Sequence, residues 1–103
     1  MKITVTNQIL AGNMGDGWKD GAADAYGDFV AEKLRERVRE LYPDADIVVE
    51  TDIQNASGYS RGIQVDSDDI DAVISLEDDL ATVNHYAWDE WCNSDHSAEY
   101  GDE

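Results

Sequence analysis

Residues 45–66 read ADIVVETDIQNASGYSRGIQVD. Two alternating stretches flank a polar turn. In the first, Ile47, Val49, Thr51 and Ile53 share one face, and Asp46, Val48, Glu50 and Asp52 share the other. That period of two is the signature of a half-buried strand. The second runs from Gly62 to Asp66, with Ile63 and Val65 facing inward. Gln54 to Arg61, containing Asn55-Ala56-Ser57-Gly58, has turn composition, and the spacing predicts that the two strands pair as a hairpin.

Before this stretch, Pro43-Asp44 ends a helix. Its apolar residues recur every fourth position from Trp18 through Ala22, Tyr26, Val30, Leu34 and Val38 to Tyr42. A period of four exceeds 3.6, so the stripe drifts by about 40° per step, and the helix must curve, change partners or loosen near Gly27. Glu32–Arg35, Glu36–Arg39 and Arg37–Glu40 are spaced i,i+3 as local support. Earlier still, Ile3 and Val5 alternate with Thr4 and Thr6 as a strand, and residues 11–17 form a glycine-rich loop.

After the second strand, residues 67–76 admit two readings. Ser67-Asp68-Asp69 is a helix-capping composition. The β-branched Ile70, Val73 and Ile74 favour a third strand. A helix is expected from Glu77 to about Asn93, with Leu76, Leu80, Val83, Ala87 and Trp91 on one face and Ser75 and Asp78 as its capping box. The expected architecture is a single small α+β domain over residues 1–93, ordered β-α-β-β-(β)-α. An antiparallel sheet packs against one long and one shorter helix. Residues 94–103 form an acidic tail, expected to be mobile.

The 103 residues carry a net charge of −17, yet 42% are hydrophobic and three are Trp, which is too apolar for a disordered acidic segment. The charge is segregated. Residues 1–39 hold six acids and six bases, whereas residues 40–103 hold 18 acids against Arg61. Such a surface excludes direct nucleic-acid binding through phosphate neutralisation, and anionic membranes repel it. The apolar runs are too short to span a bilayer, and Met1-Lys2 leads straight into alternation rather than a signal peptide. The single Cys92 excludes an internal disulfide, and the expected location is the cytoplasm.

No enzymatic constellation emerges, and no metal or cofactor is expected. Asp66, Asp68 and Glu77 fit positions 1, 3 and 12 of an EF-hand loop, but Ile70 and Asp71 stand where an oxygen ligand and glycine are required. His85, Asp89, Cys92 and His96 share a helical side, yet the first and last are separated by about 16 Å of rise, too far for one ion. Gly12 to Gly17 with Lys19 lacks the ending of a phosphate-binding loop, and Cys92 and His85 are two turns apart.

The remaining candidates for contact with a partner are carboxylates and one aromatic. Asp46, Glu50 and Asp52 lie on the first strand of the expected hairpin. Asp66, Asp68, Asp69, Asp71, Glu77, Asp78 and Asp79 form a run without a base. Such a run is either a solvated face or a contact surface. Trp88 beside Asp89 and Glu90 is either peripheral core packing or an aromatic anchor inside an acidic rim. Alternate strand residues advance about 6.6 Å and phosphates about 3.4 Å per nucleotide, so such rows present about one charge per two nucleotides.

In size, charge, lone cysteine and the run Asp66-Ser67-Asp68-Asp69-Ile70-Asp71, the chain resembles the small acidic DNA-mimic inhibitors of phages and mobile elements, the anti-restriction and anti-CRISPR proteins. That resemblance is one of class and implies no particular fold. It implies a monomer or homodimer that occupies the basic DNA- or guide-binding groove of a host nuclease complex, acting in the host cytoplasm if phage-encoded. The alternative is a halophilic cytosolic interaction module whose acidity serves solubility. Asp outnumbers Glu 16 to eight and only three Lys occur, but the neutral first 39 residues run against uniform salt adaptation.

Overall fold

The computed structural model describes residues 1–14, 21–54, 57–59 and 61–93. Three strands, β1 (Lys2–Leu10), β2 (Asp46–Gln54) and β3 (Ile63–Ser67), form one sheet with two helices, α1 (Ala22–Leu41) and α2 (Ile70–Cys92). Chain order is β-α-β-β-α, a single small α+β domain with the sheet against two helices. A short 3-10 turn, Ala11–Met14, follows β1. The expected helical residues 18–20 and the tail 94–103 lie outside the described residues, as does part of each loop.

The strand order is β2-β1-β3. β1 pairs with β2 in parallel, Lys2 opposite Asp46 through Leu10 opposite Gln54. It pairs with β3 antiparallel, Ile3 opposite Ser67 through Asn7 opposite Ile63. The expected hairpin between β2 and β3 is therefore corrected: β1 lies between them, and the sheet is mixed rather than antiparallel. The physical reason lies in β1. Its core-facing row Ile3, Val5, Asn7 and Ile9 is almost wholly buried, and the centre of a sheet shields a strand on both flanks. Among the described residues, Asn7 is the buried polar member of this row, and its Nδ2 has no hydrogen-bond partner.

α1 follows its period of four. Ala22, Tyr26, Val30, Leu34 and Val38 are all buried. The helix runs through Gly27, where a Cβ would stand 2.8 Å from Thr51 Cγ2, so glycine permits close contact with β2. It ends where the Tyr42 N–H donates to the Val38 carbonyl at 2.8 Å, just before Pro43. Glu32–Arg35 and Arg37–Glu40 form ion pairs as the spacing predicts; Glu36–Arg39 does not.

Residues 70–76 are helical, which settles the two readings against a third strand. The Asp69 carboxylate accepts from the Asp71 N–H at 3.0 Å and the Ala72 N–H at 3.3 Å. An N-cap of this kind contributes about 1 kcal/mol. It replaces the expected Ser75–Asp78 cap, and at 23 residues α2 is the longer helix rather than the shorter. Leu76, Leu80, Ala87 and Trp91 point into the core. Trp91 meets Tyr26 and Phe29 edge-to-face at 5.4 and 5.5 Å between ring centroids. Burial, with Cys92 nearby, pushes the Tyr26 hydroxyl up to about 12.

Candidate acidic interface

Both helices lie over the sheet face that carries Ile3, Val5, Val65 and Val49, leaving the other face open among the described residues. Strand register decides what that open face presents. Side chains alternate, so Lys2, Thr4, Thr6 and Gln8 of β1 share it with Asp46, Val48, Glu50 and Asp52 of β2 and with Gln64 and Asp66 of β3. Glu50 and Asp52 are separated by about 6.6 Å along the strand, and Asp66 lies two strand spacings, about 10 Å, from Val48. Asp52 accepts from Gln54 Nε2 at 3.2 Å and Gln8 Nε2 at 3.4 Å. Gln8 Oε1 in turn accepts from the Arg61 N–H at 2.7 Å, so one side chain ties β2 to the entry of β3.

The turn from β3 into α2 extends this side of the molecule. Asp66, Asp68, Asp69 and Asp71 are all exposed. Asp69 caps α2, and its N–H donates to Ser67 Oγ at 3.3 Å. Asp71 lies in the first turn of α2, where the helix dipole favours an anion. Among the described residues, no ion pair engages Asp46, Glu50, Asp52, Asp66, Asp68, Asp69 or Asp71. The described cations on this side are Lys2 at one end of β1 and Arg61 before β3.

The other predicted residues face elsewhere. Glu77 turns back to the sheet, its Oε2 accepting from the Val65 N–H at 3.3 Å. Asp79 accepts two hydrogen bonds from Arg37, at 2.7 Å from Nε and 2.9 Å from Nη2, joining the helices. This fork holds the Asp79 carboxyl below the usual carboxylate range, and Asp79 followed by Glu40 raises Arg37. Asp78 is exposed on α2. Glu90 forms an ion pair with Lys33 of α1. The Asp89 carbonyl accepts from Asn93. Trp88 is half-buried and meets Tyr26 edge-to-face at 5.3 Å, which is peripheral packing. The thirteen residues thus divide between the two layers. Seven belong to the open sheet face and its adjoining turn, counting Asp71 at the start of α2, and the other six lie further along α2.

The sequence alone did not reveal the groove between the helices, about 320 Å³, lined in part by Lys33, Arg37, Val83 and Tyr86. Its one legible signal was the alternation of bases along Lys33, Arg35, Arg37 and Arg39. Lys33, Arg35 and Arg37 are drawn into pairs with Glu32, Glu40, Asp79 and Glu90. Cys92 is exposed, its thiol pushed up by partial burial and by Asp89. Among the described residues, no group of three or more His, Cys, Asp or Glu is placed to hold a metal ion; His96 lies outside them. Among the same residues, no helix is long and apolar enough to cross a membrane.

No protein-family model, curated protein or solved structure matches this chain.

Proposed function

We propose that this protein is a binding inhibitor that presents carboxylates in place of phosphates and occupies a basic nucleic-acid-binding groove of another protein, of the anti-CRISPR or anti-restriction type. One observation carries this reading. The seven carboxylates of the open sheet face and β3–α2 turn have no ion-pair partner among the described residues, whereas three of the four bases on α1 are paired. Arg39 is the fourth. Ion pairs tie part of the helix charge together, and among the described residues none forms on the sheet side. An acidic sheet face of this kind complements an Arg/Lys-lined groove, and its field accelerates encounter at low salt.

The test is capture. The immobilised protein is exposed at low salt to nucleic-acid-binding complexes, including CRISPR effectors and restriction enzymes, and challenged with short duplex DNA. Retention of one complex, released by DNA and by rising salt, is expected. The combined change Glu50→Lys, Asp52→Lys and Asp66→Lys should abolish retention while circular dichroism stays unchanged; Asp69 is kept because it caps α2. Equal retention of every basic protein, or of none, overturns the reading in favour of acidity that serves solubility.

A further inference from the structure

The two edges of the sheet are treated differently. In the antiparallel pair, the Gln8 N–H donates to the Gly62 carbonyl, so alternation turns the Val65 N–H outward. Glu77 of α2 accepts from it and covers that edge, and β3 is only five residues long. β2 is nine residues long, with no Pro or Gly. The Asp46 N–H donates to the Met1 carbonyl at 2.8 Å. In a parallel ladder the backbones of Val48, Glu50 and Asp52 therefore also face β1, and those of Ile47, Val49, Thr51 and Ile53 face outward. Among the described residues nothing bonds to these outward groups. The same four side chains lie on the helix-facing side and are only half-buried, unlike Ile3 and Val5 beside them.

We propose that the free edge of β2 accepts an extended segment of a basic partner protein as a fourth strand, with Lys or Arg alternating with apolar residues. Charge and pattern together select this occupant. On the open face, Asp46, Glu50 and Asp52 would lie beside the incoming basic side chains. On the helix face, the apolar residues of the incoming strand would complete the burial of Ile47, Val49 and Ile53. The backbone supplies affinity and the alternating side chains supply selectivity. A second copy of this chain would instead set acids of one β2 against acids of the other, and like charges on adjacent strands are destabilising. The proposed strand addition shares a face with the phosphate-like surface but does not depend on it, because it needs backbone hydrogen bonds and an extended segment rather than a groove.

The probe is a heptapeptide alternating lysine and valine, compared with a peptide of identical composition in two blocks and with an alternating peptide N-methylated on every second residue. Residue-resolved amide hydrogen exchange of the whole protein at low salt is the readout. With the alternating peptide at saturation, exchange at Ile47, Val49, Thr51 and Ile53 slows by about tenfold or more; the other two peptides leave these amides unprotected. Val49→Pro removes an N–H that the β1 ladder does not use, so it abolishes the protection while β1 amides stay slow. Should that variant fail to fold, the N-methylated peptide decides the matter on the unaltered chain. Equal protection by all three peptides, protection elsewhere, or no binding overturns the proposal. Protection of these amides without peptide that rises with protein concentration would assign the edge to a second copy instead. Failure of the capture experiment with the protection intact removes the inhibitor reading and leaves the edge site standing.

Discussion

Gly27 and Thr51 show how closely a helix can be set against an edge strand. A Cβ on residue 27 would stand 2.8 Å from Thr51 Cγ2 and in ordinary contact with Ile9 and Ile53. Threonine is branched at Cβ and cannot swing this methyl away without leaving its rotamer. Two effects compete in Gly27→Ala. Replacing a helical glycine gains about 1 kcal/mol, and overpacking a close contact costs about 1–3 kcal/mol. The clash is expected to win by about 1 kcal/mol in urea unfolding. In a Thr51→Ser background, which deletes the methyl, the same substitution should become neutral or stabilising. A destabilisation that persists unchanged in that background would place the constraint somewhere other than this contact. Sequence could show Gly27 as a weak point in a helix. It could not show that the helix needs the gap, because Thr51 is distant in the chain.

The two helices are tied by Arg37 and Asp79, and this tie has a pH signature. Folding favours the ionised Asp79 carboxylate, whose pKa the guanidinium lowers. Its contribution is present in full above the unfolded carboxylate value of about 3.9 and is lost as pH falls through the lower folded value. Asp79→Asn should therefore lower the urea midpoint at pH 7, and the difference from the unaltered protein should narrow as pH falls below the unfolded carboxylate value. A gap of constant size across that range would show that this carboxylate does not titrate with folding. The elements themselves were unequally legible. α1 was plain because its buried residues recur at regular spacing, and β2 and β3 were plain from alternation. Their partner was not, because alternation says which face is buried and nothing about which strand lies alongside. The start of α2 was hidden for a different reason. Ile70 and Ile74 are 72% and 64% exposed, so their β-branched side chains carried a strand signal that the core does not use. The candidate site divided for the same reason as the sheet. Side chains that adjoin in sequence, such as Glu77, Asp78 and Asp79, turn to an edge, to solvent and to a helix respectively.

Across the whole molecule, the charge read from sequence as a property of residues 40–103 is carried by both layers, which differ in how it is paired. Bases from α1 reach over to acids of α2, and among the described residues the carboxylates of the open sheet face have no ion pair. Self-repulsion among them should be relieved by screening. The Debye length falls from about 30 Å at 0.01 M salt to about 8 Å at 0.15 M, and the smaller dimensions of the molecule are 26 and 18 Å. The thermal midpoint should therefore rise over that interval and flatten above it. A rise that continues steeply into molar salt would instead favour the halophilic alternative. The strand order has a further consequence, for folding kinetics. The central strand comes first in the chain, and its partners arrive only after a whole helix and then a second loop: Lys2 must find Asp46, and Ile3 must find Ser67. No neighbouring pair of strands can zip together locally. Every ladder closes a long loop before it gains a contact, so this domain should fold more slowly than one of the same size whose strands pair as local hairpins.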